Sequence, residues 1–112
     1  MELITLGDKG DLVEALATIA ARRGIRNAAV VSVVGAARSF TLSTMNADKP
    51  SQAVLTSGRL AELSGNGEIV DGVPNLHVTC GLDGGQALAG HLHAAEVGGP
   101  YTVNVYLVRL ER

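Results

Sequence analysis

The sequence predicts an α+β domain, mainly an antiparallel β-sheet with one N-terminal helix packed on it. Three observations carry this. Only one stretch, close to the N-terminus, has helical spacing and both helix-end signals. After it, turn signals recur at short intervals between apolar segments, which fits an antiparallel sheet rather than an α/β repeat. Hydrophobic residues make up 46% of the chain and aromatic residues only 3%, so the core must be built from Val, Leu, Ile and Ala. The 112 residues suffice for a single domain, residues 1–112, around one core.

Met1 to Leu6 reads as a short strand, ended by Gly7-Asp8-Lys9-Gly10. Asp11 then opens the helix as N-cap, with Glu14 three residues on in a capping-box-like pattern. Leu12, Leu16, Ile19 and Ala20 form its buried stripe, and Gly24 closes it. Ala28 to Val34 is nearly all apolar and β-branched, so it is expected as a strand covered on both faces. Gly35 is expected to turn or bulge the chain. Phe40 to Met45 alternates as a strand, and Asn46 to Gln52, with Pro50, reads as a polar loop. Leu55 to Leu63 is ambiguous, because Leu60-Ala61-Glu62-Leu63 suits a strand or a helical turn. Ser64-Gly65-Asn66-Gly67 reads as a tight turn, and Asp71-Gly72 as another. Leu76 to Gly81 and Ala87 to Glu96 are strands. Gly98-Gly99-Pro100 breaks the chain before a last strand, Tyr101 to Leu110, on which parity puts Tyr101 and Tyr106 on opposite faces.

All three histidines lie on one expected hairpin. A three-residue turn at 83–85, with Gly85 left-handed, pairs His77 with His91 and Asn75 with His93. Alternation points His91 and His93 the same way. Three imidazoles then meet on one patch of sheet, the layout of a three-His metal site with an open position, and zinc suits neutral imidazole donors. The plainer alternative is a set of surface or interface histidines that only hydrogen-bond. Asn75 could orient a ligand imidazole. Glu62 and Glu96 are candidate general acids or bases, or simply solvated charges; alternation puts Glu96 on the other face from His93 unless the strand bulges. Arg38 could clamp a carboxylate or phosphate, or form a surface or intersubunit salt bridge. Cys80, between Val78 and Leu82, reads as a small buried hydrophobe.

Composition narrows the function classes. The net charge is −2, and Arg22, Arg23 and Arg26 cluster where they favour the helix C-terminus, so no basic face for nucleic acid is expected. The longest apolar run, Ala28 to Ala37, is too short to span a bilayer. A single cysteine excludes an internal disulfide and fits a reducing compartment. Met1-Glu2-Leu3 enters directly into a strand-like pattern, so no signal peptide is expected and the expected location is cytoplasmic. No glycine-rich segment has the spacing of a phosphate loop.

Several segments, in order, carry a wider likeness. They are Gly10-Asp11-Leu12-Val13-Glu14-Ala15-Leu16, then Val30 to Arg38 followed by Thr41-Leu42. Leu63-Ser64-Gly65-Asn66, Asp71 to Val78 and Gly90-His91-Leu92 complete the set. Together they resemble the PPC (plants and prokaryotes conserved) domain in its stand-alone prokaryotic form, over nearly the whole chain. The resemblance implies an antiparallel sheet domain that assembles as a homotrimer. It also implies a fold similar to acetolactate decarboxylase, whose zinc is held by three histidines. In plants the domain follows an AT-hook in nuclear proteins; this chain has neither AT-hook nor basic arm. The family usually has His-x-His where this chain has Asn75 and His77, and an apolar residue where it has His93. The hairpin pairing would place the missing imidazole on the opposite strand, with His77, His91 and His93 as metal ligands. The family's acidic residue before Ser-Gly has no clean counterpart: Arg59 takes its place without gaps, and Glu62 lies three positions on.

Two functions of different class follow. One is a trimeric binding or regulatory module, with a metal that is structural or holds a small anionic ligand. The other is a zinc-dependent enzyme acting on a small carbonyl acid, with Arg38 on the substrate carboxylate and Glu62 moving protons. A DNA-binding role is the third and weakest.

Overall fold

The computed structural model of the chain describes residues 1–45, 48 and 53–111. The expected loop from Asn46 to Gln52 lies outside these residues except for Asp48. In chain order the described elements are β1 (Glu2–Leu6), β2 (Gly10–Asp11), α1 (Leu12–Arg22), β3 (Ala28–Ala37), β4 (Ser39–Thr44) and β5 (Ala53–Ser57). They continue with β6 (Ala61–Val70), β7 (Val73–Gly81), β8 (Ala87–Val97) and β9 (Val103–Arg109). All strands join one antiparallel sheet in the order β1-β9-β3-β6-β7-β8-β4-β5, and β2 pairs with the far end of β8.

Both helix ends are set by local chemistry. One carboxylate oxygen of Asp11 accepts the Glu14 amide at 3.0 Å, and the other accepts the Ala95 amide of β8 at 2.8 Å. The cap therefore also ties the helix to the sheet. At the other end Gly24 is left-handed, with φ 72°. Its amide bonds Ala21, and the Ile25 amide bonds Ala20 at 2.8 Å, which is the Schellman pattern. Asp11→Ala should cost about 2 kcal/mol, because it removes the cap and strands the Ala95 amide. For a domain this small that is a fall on the order of 10 °C in Tm. A thermal melt checks it, with Asp11→Asn expected to recover only part of the loss, because its single side-chain oxygen can accept one of the two amides.

The helix buries Leu12, Leu16 and Ala20 against the inward residues of the sheet, among them Ile4, Leu76, Leu92 and Val97. Ile19 is only half-buried, at the margin of this core. One helix covers one face, and that corrects the reading of β3. Val30 and Val33 point into the core, but Val31 and Val34 are 50% and 46% exposed on the open face. A run of apolar residues implies two covered faces only where a second layer exists, and the described residues supply none.

Two expected turns are strand instead. Gly35 lies inside β3, where the Thr102 carbonyl approaches so closely that a Cβ would sit 2.1 Å from it; the bulge of β3 falls earlier, between Val30 and Val33. Ser64-Gly65-Asn66-Gly67 lies in the middle of β6. A Cβ on Gly67 would meet the Asn75 carbonyl at 2.1 Å, and one on Gly65 would meet the His77 carbonyl at 2.2 Å. These glycines admit the backbone of β7 rather than turn the chain. The turn in this region is Asp71-Gly72, with φ of 50° and 82°, joining paired Val70 and Val73. The ambiguous Leu55–Leu63 stretch resolves into the end of β5 and the start of β6.

Candidate histidine site on the open sheet face

The turn between β7 and β8 spans Asp83–Gly85, with Gly84 and Gly85 both at φ 75°. Its register pairs His77 with His91, as the turn chemistry predicted. The neighbouring ladders extend the line: Asn66 on β6 faces His77, and Ser43 on β4 faces His91. Ser43, His91, His77 and Asn66 thus form a single row across four strands. They border a cleft of about 640 Å³, whose wall also includes Ser64 and Thr79. Among the described residues no Asp, Glu, Lys or Arg lines this cleft.

The second expected pair does not form. The β7–β8 ladder ends at His77 and His91, so Asn75 and His93 are not partners. Instead β8 bulges against β4: Leu42 faces Leu92 and Thr41 faces Ala94, leaving His93 as the extra residue. The ladder with β7 ends next to this bulge. The bulge nevertheless keeps His93 beside His91. Their ring centroids are 4.9 Å apart and nearly perpendicular, and those of His77 and His91 are 5.9 Å apart. Asn75 stays on the same face of β7 as His77 and borders a smaller cleft with Asn66, Glu68 and Val31.

Two imidazoles on one tetrahedral zinc, with Zn–N about 2.0–2.1 Å, have centroids about 5 Å apart. The ring spacings and donor chemistry therefore suit a shared ion. As the rings stand, edge against face, no three His, Cys, Asp or Glu side chains among the described residues present a converged donor set. Convergence requires ring rotation, which the exposed side chains of His77 and His93 are free to make.

Partial burial, with His93 and His77 beside it, holds the His91 imidazole below the usual histidine range. A neutral ring is the form that binds a metal. The same shift makes stability depend on pH. The unfolded chain takes up the His91 proton near its ordinary pKa, whereas the folded chain does so only at lower pH. Stability should therefore fall as pH drops below about 6.5. Melts of the metal-free protein between pH 7.5 and pH 5 measure the slope, and His91→Gln should reduce it.

The other candidates lie elsewhere. Glu62 is on the open face but faces Gly81, and it borders a separate cleft of about 660 Å³ with Leu60, Asp83 and Tyr101. Arg38 stacks over Tyr101 at 5.0 Å, donates to the Gly98 carbonyl at 2.8 Å and lies 3.9 Å from Glu96. It fastens the Gly98-Gly99-Pro100 loop through the bond to the Gly98 carbonyl, and its salt bridge, within the chain, is to Glu96 of β8. The β8 bulge reverses parity, so Glu96 does return to the open face, where the Ser39 hydroxyl donates to it. Burial pushes the Cys80 thiol up to about 11, as expected for a packed hydrophobe. Tyr101 lies outside β9 and Tyr106 inside it, so strand parity does not relate them; both are half-buried. Asn66 and Ser43 were not anticipated. The Asp71-Gly72 turn could have located Asn66, since a two-residue turn there pairs it with His77.

The model of the Plants and Prokaryotes Conserved (PCC) domain matches residues 2–111. No curated protein matches the chain. Among solved structures, a metal-containing protein from Archaeoglobus fulgidus is 27% identical, with a TM-score of 0.77 over 96% of this chain and 79% of its own. A plant- and prokaryote-conserved (PPC) protein from Pyrococcus horikoshii is 19% identical, with a TM-score of 0.82 over 99% and 79% of the two chains. A protein from Ralstonia eutropha, named as a candidate DNA-binding protein, is 20% identical, with a TM-score of 0.82 over 98% and 78%.

Proposed function

The chain belongs to the Plants and Prokaryotes Conserved domain family, and we propose that it is a binding module whose three histidines hold a divalent metal beside a cleft for a small anionic ligand. Zinc is the metal that the donor set favours. The observation that carries this reading is the packing of His77, His91 and His93, three imidazole donors on one open face, with partial burial favouring the neutral, metal-binding form of His91. The name of the Archaeoglobus relative, a metal-containing protein, points the same way. The bound metal supplies a positive centre that attracts an anion, and the hydroxyl and amide groups of the cleft would donate hydrogen bonds to it.

Binding suits the cleft better than turnover. Glu62 and Arg38, the candidates for proton transfer and substrate clamping, face other clefts and partners. Nucleic acid suits it less well than a small ligand. Five of the nine basic residues, Arg23, Arg26, Arg38, Arg59 and Arg109, each stand beside a carboxylate, which reduces the positive charge open to phosphates. For assembly, the open face carries Leu3, Val31, Val34 and Val108, each at least 39% exposed, on the half of the sheet away from His91 and His93. An apolar strip of this kind favours burial between copies, in keeping with a homotrimer.

Elemental analysis with and without prior chelation, alongside mass by light scattering, tests the proposal. About one zinc per chain is expected at pH 7.5, lost below about pH 6 as the imidazoles protonate. A protein that takes up no zinc, nickel or cobalt at micromolar concentration would overturn the metal; a monomer in solution would overturn the assembly.

A further inference from the structure

Asn66 and Ser43 occupy the two ends of the row in which His77 and His91 are the middle members. Directly opposed side chains on an antiparallel pair have their Cβ atoms about 4.5–5.5 Å apart, close enough for a short polar side chain to touch a ring. Each histidine is thus flanked by the other on one side and by an oxygen-bearing side chain on the other. All four border the same cleft. Among the described residues, neither the Asn66 amide nor the Ser43 hydroxyl makes a side-chain hydrogen bond that would have to be broken first.

We propose that Asn66 and Ser43 are positioning residues for the histidine site: the Asn66 side-chain oxygen accepts the ring N–H that His77 does not use on the metal, and the Ser43 hydroxyl oxygen accepts that of His91. This rests on the reading of the histidines as metal ligands. An imidazole that binds a metal through one nitrogen carries a proton on the other, and that N–H nearly always meets an oxygen acceptor. The acceptor fixes the tautomer and the ring plane. On this open face solvent could do so only loosely, whereas the β6–β7 and β4–β8 registers set an acceptor beside each ring. The strand that brings Asn66 there is held closely, because Gly65 and Gly67 on either side let the β7 backbone approach. His93, on the bulge, has no such partner in the row, so its ring is the least constrained of the three.

The experiment is a zinc titration of the wild type, Asn66→Ala, Asn66→Asp and Ser43→Ala, with Thr18→Val, on the exposed side of the helix, as a control outside the site. Asn66→Ala and Ser43→Ala should each weaken zinc binding 10- to 100-fold. Asn66→Asp, which keeps an oxygen at the same distance, should restore tight binding, and Thr18→Val should match the wild type. Nitrogen-15 spectra of the zinc-loaded protein give the readout that a loss of packing would not move. The non-coordinating His77 N–H should be slow to exchange in the wild type and in Asn66→Asp, and fast in Asn66→Ala. Metal-free melts within a few degrees of the wild type confirm that each variant folds. Wild-type binding matched by Asn66→Ala and Ser43→Ala would overturn the positioning role while leaving the metal site standing. A wild type that binds no zinc would overturn the metal site, and this role with it.

Discussion

Gly67→Ala should lower the stability of this protein by about 3 kcal/mol, roughly 15 °C in Tm, although it adds a single methyl group. A Cβ at this position would stand 2.1 Å from the Asn75 carbonyl oxygen and 2.9 Å from the Leu76 Cα. Both contacts are with backbone, so no side-chain rotation relieves them. The strand cannot move away, since β6 is bonded on both sides, to β3 and to β7. The ladder must open near Asn75 and His77, beside the candidate site. Thermal melts by circular dichroism measure the loss, and Gly65→Ala should behave similarly, with its Cβ 2.2 Å from the His77 carbonyl. By contrast Gly72→Asn should cost much less: its left-handed φ of 82° is one that asparagine tolerates, and nothing lies within 4 Å of the added Cβ. If Gly67→Ala melted within a couple of degrees of the wild type, the close β6–β7 approach would be wrong.

His91→Ala should have the largest effect on metal binding, lowering zinc affinity at least about 100-fold, since each ligand of a three-ligand site is needed to hold the ion. His91 is the middle ring of the three, in contact range of both others, and its loss leaves His77 and His93 without a common neighbour. Metal-free stability should change little, because the side chain lies on the open face rather than in the core; a shift within about 0.5 kcal/mol is the usual range there. Isothermal titration with zinc, paired with melts in chelator, separates the two effects. Undiminished zinc binding by His91→Ala would remove the histidine cluster as the metal site.

Much of this was legible from local signals. Asp11 and Glu14 announce the helix start, Gly24 its end, and the turn at 83–85 the pairing of His77 with His91. Other readings failed for particular reasons. Asn66-Gly67 has the composition of a primed turn, yet it sits mid-strand, because cross-strand crowding also selects glycine. The Asn75–His93 pairing assumed a regular ladder, and the bulge at His93 depends on how β8 is shared between β7 and β4. The same bulge carried Glu96 to the open face.

The amino-acid order alone determined the class of domain, the ends of its helix and the register of the histidine hairpin. Each of these rests on interactions between residues close in the chain, whose geometry a cap or a tight turn dictates. Tertiary structure alone decided that a single helix leaves one sheet face open, that Val31 and Val34 lie on it, and that Asn66 and Ser43 flank the histidines while Glu62 and Arg38 stand apart. Those outcomes depend on which distant strands become neighbours and how many layers cover them, and no local spacing records the result.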